Sequence, residues 1–363
     1  MSNKKKIALL NFPLDNNFGG NLQRYALMRV LNEMGYDVTH LSTQFQFEDN
    51  CSAFKRITSY IKYKFGLYPS NYIPAWIRQS KYKKGLKAIM PFYNKYIKHT
   101  QIICSYQELK KFDYFEAYIV GSDQVWRRSM SYKYPFSSMF LEFLKDKHRI
   151  KRIAYGVSFG TSEDEIPDSE KPELAELYKM FDAVSIREDS GFQLLKKYGW
   201  NHPKAIQVLD PTLLLPRQWY SEIIDEGKTL PLEGDMFCYV LDSKKEIDDI
   251  INEVALQKHL RPFRTSIDPI NMVSIEQWLR SFRDAKYIVT DSFHGFVFSI
   301  IFNKPVKLVY NKRRGNDRFD SLQRLLNYNP EDANIDWDRI NDKIKHYANL
   351  SRNFLRVSLE TKE

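Results

Sequence analysis

A histidine flanked by an aspartate and a serine is the group in this sequence best suited to acid–base chemistry. The segment Asp291-Ser-Phe-His-Gly295 directly follows a short apolar run at 287–290. Because an imidazole titrates near neutral pH, His294 could donate a proton or bind a phosphate. Asp291 could accept a proton, and Ser292 could hydrogen-bond a substrate. The alternative is a histidine with a purely structural role.

A second polar segment, Gly121-Ser-Asp-Gln-Val-Trp126, follows the apolar run Ala117–Val120. Asp123 is a further candidate for accepting a proton. Hydroxyl and amide groups beside an indole ring suit hydrogen bonding to sugar hydroxyls and stacking on a sugar ring. The alternative is a capped helix start with a buried tryptophan. The candidates for sugar binding are Ser122, Gln124 and Trp126.

Two other segments are suited to binding an anion. Arg187 ends the apolar run Ala183–Ile186, and its planar guanidinium fits a carboxylate or a phosphate. Pairing with Glu188 or another acid alone is the structural alternative. The loop 15–26 follows the first apolar run and opens a predicted helix, where N–H groups favour anions. It matches neither dinucleotide nor P-loop patterns, and a turn capped by an asparagine is the alternative. Its candidate ligands are Asn17, Gly20 and Asn21.

Alternating apolar runs and amphipathic segments predict βαβ units and mostly parallel sheets. We expect an α/β protein with two Rossmann-like domains and a cleft between them, in a glycosyltransferase B-like arrangement. The first domain covers 1–220 and carries an insertion at 51–107, which is expected to be helical with breaks at Pro69, Pro74 and Pro91. The second covers 221–335, and a helix within 336–363 could pack back on the first. Ligands in such sheets bind beyond the carboxyl ends of the strands, where the polar segments fall.

The composition excludes several classes of protein. Hydrophobic residues make up 43% of the 363 residues, which is enough for packed cores. Three widely spaced cysteines argue against a disulfide framework and against a zinc site. No stretch has the length of a secretory signal or a membrane span. A reducing, cytoplasmic location is therefore expected.

The net charge of +10 is concentrated in one segment. Residues 51–107 contain no Asp or Glu and have interleaved aromatic residues. Such a segment suits an anionic membrane surface, a lipid-linked substrate or nucleic acid. The alternative is a solvated helical hairpin whose aromatic residues pack in the core. Its eleven basic residues are Lys55, Arg56, Lys62, Lys64, Arg78, Lys81, Lys83, Lys84, Lys87, Lys95 and Lys98.

In their order along the chain, these segments resemble the polysaccharide pyruvyl transferase family. Each segment is short, but the ordered set is specific. The set comprises Gly19-Gly-Asn-Leu-Gln-Arg-Tyr-Ala-Leu27, Gly121-Ser-Asp-Gln-Val-Trp126, Tyr155-Gly-Val-Ser-Phe-Gly160, Ser185-Ile-Arg-Glu188, Asp210-Pro-Thr-Leu-Leu-Leu215, Thr290-Asp-Ser-Phe-His-Gly295 and Lys304-Pro305, and it ends near Arg313–Arg318.

The resemblance implies transfer of the pyruvyl group of phosphoenolpyruvate onto two hydroxyls of one sugar, with no metal or cofactor. The donor-binding arginine of the family corresponds to Arg187, and its histidine corresponds to His294. Family members with an Arg-Leu-His motif have an arginine where this chain has Ser292. Arg313, Arg314 or Arg318 could replace that arginine from a neighbouring loop. A protonated histidine could protonate the enol or stabilise the departing phosphate, and Asp123 or Asp291 could accept the hydroxyl proton.

The acceptor implied by the resemblance is a lipid-linked oligosaccharide of capsule or exopolysaccharide biosynthesis, with galactose bridged at O4 and O6 as the leading candidate. The enzyme would then act peripherally at the cytoplasmic face of an anionic membrane, and no nucleic-acid partner is expected. One rival is a nucleotide-sugar glycosyltransferase of similar architecture, although its paired-glutamate motif is not found. A second rival is a non-enzymatic basic protein that binds membrane or nucleic acid.

Overall fold

Six parallel strands form the first sheet of the protein. The computed structural model describes residues 4–44, 52–67, 73–130, 134–242, 244–266, 268–269, 271–310 and 316–360. The order of the strands in the sheet is β2-β1-β3-β4-β5-β6. Strands β1 and β3 are almost entirely buried, as their continuous apolar sequences predict. The strands are β1 Lys6–Leu10, β2 Asp37–His40, β3 Ala117–Val120, β4 Lys151–Val157, β5 Ala183–Ile186 and β6 Ile206–Gln207.

Four parallel strands form the second sheet, in the order β10-β9-β7-β8. These are β7 Met236–Tyr239, β8 Pro262–Phe263, β9 Tyr287–Thr290 and β10 Val306–Leu308. Two parallel sheets with helical connections confirm the expected α/β class.

Helices connect and cover the strands. None of those in the described part of the chain combines the length and the apolar composition needed to cross a bilayer. The α-helices are α1 Phe18–Glu33, α2 Ala53–Lys64, α3 Ala75–Tyr96, α4 Tyr106–Leu109, α5 Lys171–Lys179, α6 Ser190–Tyr198, α7 Arg217–Glu226, α8 Lys245–Lys258, α9 Ile275–Asp284, α10 Phe293–Ile301, α11 Asp317–Leu326 and α12 Trp337–Glu360.

Each sheet has a topological switch point, where successive connections leave in opposite directions. In the first sheet it lies between β1 and β3, and in the second between β7 and β9. A crevice forms beyond the carboxyl ends of the strands at such a point, and ligands of α/β proteins bind there. The loops after these four strands therefore define where a site is expected.

The two halves share one hydrophobic core. Phe18 at the start of α1 stacks on Trp278 of α9, with ring centroids 5.2 Å apart. Helix α7, which spans residue 220, packs against α9 of the second half. Helix α12 returns to the first half, where Ser351 accepts the N–H of Leu209. Apolar packing of this extent holds the two sheets in a fixed relation.

The basic segment divides into two different helices. Helix α3 buries one face in the shared core, including Tyr82, Phe92 and Tyr93, as the hairpin interpretation predicted. Helix α2 lies outside it and is largely exposed. The break expected at Pro91 is wrong: α3 continues through this residue, because buried side chains on both sides hold the helix in place. Pro69 lies outside the described residues.

Candidate functional site

A cavity of about 740 Å³ lies between the two switch points. Its wall is built from the loops after β1, β3, β7 and β9, and from the first residues of α1, α10 and α11. Asn17, Gln124, Ser292 and His294 are among the predicted site residues that line it. The polar segments recognised in the sequence thus meet at one place.

Two helices begin at this cavity. Asn17 caps α1 by accepting the N–H of Gly20 at 3.3 Å, and Ser292 caps α10 by accepting the N–H of Gly295 at 3.3 Å. The amino-terminal end of a helix carries partial positive charge and favours an anion. Two such ends facing one cavity suit a ligand with more than one negative group.

His294 lies in the first turn of α10 and crosses from the second half towards the first. Its Nε2 is 3.7 Å from Oδ2 of Asp210, which follows β6. Its ring packs on Gly19 so closely that a methyl group there would lie 2.1 Å from Nδ1. Burial raises the pKa of Asp210. The neighbouring His294, Arg187 and Thr212 outweigh this effect and hold the pKa well below its usual value. An ionised carboxylate therefore faces the imidazole, at a distance longer than a hydrogen bond.

Arg187 is the centre of a buried ion cluster behind the cavity. Its guanidinium is 2.7 Å from Asp210, 3.1 Å from Asp123 and 3.9 Å from Glu188. The Arg187 side chain is only 3% exposed. Burial raises the pKa of Asp123, but Arg187, His294 and Arg318 lower it more. The carboxylates that follow β3 and β6 surround Arg187, which agrees with the alternative of pairing with acids, and donor binding by this residue stays a prediction.

Arg318 is the arginine that reaches the cavity wall in the second half. Its Nη1 lies 3.7 Å from Oδ1 of Asp123, and its guanidinium stacks over the Phe293 ring at 5.1 Å. Burial and the neighbouring Arg187 lower its pKa to about 10, against the opposing effect of Asp123. Arg318 therefore remains a cation at neutral pH. Arg313 and Arg314 lie outside the described residues.

Asp15 is a cavity residue that the sequence analysis did not select as a candidate. It is half-buried, and Oδ1 accepts the N–H of Asn17 at 3.0 Å. Desolvation raises the pKa of this carboxyl and outweighs the lowering effect of Arg24 and of the Asn17 N–H. The nearby Asp123 raises the pKa further. A carboxyl group with a raised pKa in a cleft is a candidate for proton transfer.

Asp291 and Ser292 line the cavity but are also engaged in the fold. The Asp291 carboxylate accepts the N–H groups of Leu241 at 2.7 Å and of Asp242 at 3.3 Å. The carboxylate therefore holds the loop after β7 against the end of β9.

Four predicted ligands make contacts within the fold. Trp126 is fully buried, stacks on Phe140 and donates to the Met139 carbonyl, so it cannot stack on a sugar. Ser122 donates to the Gly156 carbonyl within the sheet. Asn21 is fully buried and donates to the carbonyl oxygens of Asp15 and Asn17. Gly20 acts only through its N–H bond to Asn17.

Other site residues were missed by sequence reasoning for different reasons. Asp210 lies in one of the segments that carry the family resemblance. It also follows a strand, which is the same signal that selected Asp123. Arg127 lines the cavity next to Gln124, to which it donates at 3.0 Å. Among the described residues, no group of three histidine, cysteine or carboxylate side chains is arranged to hold a metal ion.

Two parallel sheets share one cavity, at which helix amino termini, an acid–histidine pair and an arginine meet, an arrangement suited to an α/β enzyme. The chain belongs to the polysaccharide pyruvyl transferase family, whose model matches residues 17–313. That range includes Asp123, Arg187, Asp210 and His294. The protein is thus a pyruvyltransferase of polysaccharide biosynthesis, as its ordered sequence segments predicted.

Solved structures with similar folds have low sequence identity to this chain. A UDP-N-acetylglucosamine 2-epimerase from Rickettsia bellii is 8% identical with a TM-score of 0.48, and the alignment covers 98% of this chain and 96% of the other. A glycosyltransferase from Rickettsia africae is 12% identical with a TM-score of 0.45, covering 99% and 100%. Among curated proteins, no sequence matches this chain.

Replacing Gly19 by alanine should displace the His294 ring, because no space exists for the added methyl group. We expect turnover to fall about a hundredfold, as for other misplacements of a reacting group by roughly 1 Å. The matched control is Gly20→Ala, where the nearest atom would lie 3.7 Å away. Equal turnover of the two variants would show that the Gly19–His294 contact has no role in catalysis.

Replacing Arg187 by alanine should destabilise the fold, because it leaves three buried carboxylates without their shared cation. The expected loss is about 3–5 kcal/mol in the free energy of unfolding, measured by urea denaturation. Arg324→Ala removes a largely exposed pair with Asp189 and should cost about 1 kcal/mol or less. Normal stability with impaired donor use would instead support direct donor binding by Arg187.

Proposed function

We propose that the protein transfers the pyruvyl group of phosphoenolpyruvate onto two hydroxyls of one sugar, which gives a cyclic ketal and free phosphate. The observation that carries this proposal is the single cavity into which two helix amino termini, Arg318 and His294 converge. Phosphoenolpyruvate has a carboxylate and a phosphate on one small carbon skeleton. A site of this kind can hold both anionic groups without a nucleotide.

The reaction balances through two proton transfers. A proton added to the methylene carbon turns it into a methyl group and leaves a cationic carbon that one sugar hydroxyl attacks. Departure of phosphate with its bonding electrons restores a cationic centre, and the second hydroxyl closes the ring. Two hydroxyl protons are released, one of which replaces the proton given to the methylene while the other leaves with phosphate. The site therefore needs one proton donor and one acceptor.

We assign proton donation to His294 and proton acceptance to Asp15. The support for His294 is its position at the start of α10, with Nε2 3.7 Å from the Asp210 carboxylate. The support for Asp15 is a raised pKa and a place on the cavity wall. Asp123, an earlier candidate, is paired with Arg187 and Arg318. Its negative charge is better suited to positioning Arg318 beside the donor.

The donor anion would lie between the two helix starts, with Arg318 as its cation. This arginine is among those that could replace the arginine expected at Ser292, and its guanidinium reaches the same cavity as the Ser292 side chain. Gln124 and Asn17 on the opposite wall would hydrogen-bond the acceptor sugar. For the acceptor we propose a galactose bridged at O4 and O6 on a lipid-linked oligosaccharide of capsule or exopolysaccharide biosynthesis.

Phosphate release from phosphoenolpyruvate, with and without a galactose-terminated acceptor, tests the proposed reaction. The wild-type protein should release phosphate only with acceptor, and His294→Gln should lower turnover by about 10²–10⁴-fold because it cannot donate a proton. His346→Gln, an exposed histidine on α12, is the control. Sugar transfer from a nucleotide-sugar without phosphate release would favour the glycosyltransferase alternative.

Replacing Asp15 by asparagine should separate catalysis from stability. Turnover should fall at least a hundredfold if this carboxylate accepts the hydroxyl proton. The pKa of Asp15 is raised in the folded state, so the cost of its charge is absent below the usual pKa and grows as the pH rises. The variant should therefore melt above wild type at pH 7, and the gain should shrink towards pH 4.

The control for this experiment is Asp168→Asn, whose side chain is 96% exposed. This variant should change neither turnover nor the pH dependence of melting. Full activity of Asp15→Asn together with the expected melting gain would leave Asp15 as a buried carboxyl without a catalytic role.

A further inference from the structure

Helix α2 exposes apolar side chains to an unusual extent. Five of the fourteen large apolar residues that are exposed in the described part of the chain lie between residues 57 and 67. The other nine are scattered singly, which is normal for a protein surface. The five are Ile57, Tyr60, Ile61, Phe65 and Leu67, with exposures of 61%, 48%, 48%, 73% and 69%.

These residues form one stripe because they follow helical spacing. Ile57, Ile61 and Phe65 are four residues apart, and Tyr60 lies beside them. The other side of α2 contacts α3, where the Trp76 Nε1–H donates to Ser59 at 2.9 Å and the Lys81 ammonium donates to the Tyr63 hydroxyl. The helix is therefore attached by its polar face and presents its apolar face outwards.

The charges around the stripe indicate what covers it. Lys55, Arg56, Lys62 and Lys64 are exposed on α2, and no acidic residue occurs from Cys51 to Gln107. A second copy of this chain would bring the same cations to the same face, so the two copies would repel each other. An anionic bilayer accepts both features, because lysines contact headgroups while apolar side chains enter the acyl boundary.

We propose that α2 is a membrane-docking helix that lies in the interface of an anionic bilayer, with Ile57, Ile61 and Phe65 inserted. This goes beyond the proposed reaction and does not depend on it. Helix α3 links the docking surface to the cavity. The Tyr82 hydroxyl donates to the Leu14 carbonyl, and Gly85 lies so close to Asn16 that an added methyl group would be 3.0 Å from its Cβ. Asn16 lines the cavity.

Lys83, Lys84 and Lys87 are exposed on α3, on either side of Gly85, which contacts Asn16. They extend the basic surface of α2 along α3. A bilayer on α2 would thus lie near the cavity wall that carries Asp15, on the side where an acceptor attached to a lipid carrier arrives.

Vesicle co-sedimentation tests the proposal directly. Wild-type protein should bind vesicles containing phosphatidylglycerol and should bind pure phosphatidylcholine far more weakly. The triple variant Ile57→Ser, Ile61→Ser, Phe65→Ser should lose at least about a thousandfold in affinity for the anionic vesicles, since each buried apolar side chain contributes about tenfold or more. The matched control is Leu230→Ser, Leu256→Ser, Leu350→Ser, three exposed leucines elsewhere, which should bind as wild type.

A second comparison separates hydrophobic insertion from charge attraction. Lys83→Glu, Lys84→Glu, Lys87→Glu should weaken binding mostly at low salt, whereas the loss in the apolar triple variant should persist at high salt. Phosphate release with a soluble acceptor should be unchanged in the apolar triple variant, because none of its three residues lines the cavity. Equal vesicle binding by wild type and the apolar triple variant would overturn the proposal, as would self-association through α2 without vesicle binding.

Discussion

The buried charge of Arg187 is the interaction on which the cavity depends. A guanidinium that has lost its water needs carboxylates in contact, and carboxylates so placed need the cation in return. Asp123 follows β3, Arg187 follows β5 and Asp210 follows β6, so one ion cluster fixes three strand ends of the first sheet. Its position behind the cavity means that stability and site geometry rest on the same side chains.

The cluster also joins the two halves of the molecule. His294 and Arg318 come from the second half, and each approaches a carboxylate of the first. Helix α11 is held there by further contacts, since Ser321 accepts the N–H of Asp189 and Arg324 pairs with its carboxylate. Together with the apolar packing around Trp278, these contacts make the cavity preformed. Preformed dipoles and charges cost no reorganisation when a reaction develops charge.

The sequence predicts the sheets and the position of the cavity better than the direction of individual side chains. Strands β3, β5 and β9 were predicted with their observed bounds, because each is a continuous apolar run that ends at a polar segment. Strand β8 has only two residues and gives no such signal.

Whether a polar residue after a strand faces the cavity depends on neighbours that are distant in sequence. Trp126 is buried because Phe140, Tyr178 and Trp200 surround it. Arg187 turns inwards because Asp210, 23 residues away, is close enough to accept from it. Strand-end position therefore identifies a set of candidates, and tertiary packing selects among them.

Tertiary packing also decides how the basic segment divides into two different helices. Composition alone treats residues 51–107 as one unit, yet α3 contributes Phe92 and Tyr93 to the core, while none of the α2 side chains that the structure describes belongs to it. An aromatic side chain on α3 holds the loop that carries Asp15 and Asn16, because the Tyr82 hydroxyl donates to the Leu14 carbonyl. Lysines suit the remaining face of α3, since their long stems pack along apolar neighbours and keep the charge in water. The absence of acidic residues from 51–107 also suits the docking proposed for α2. A single carboxylate beside the apolar stripe of this helix would oppose contact with an anionic surface.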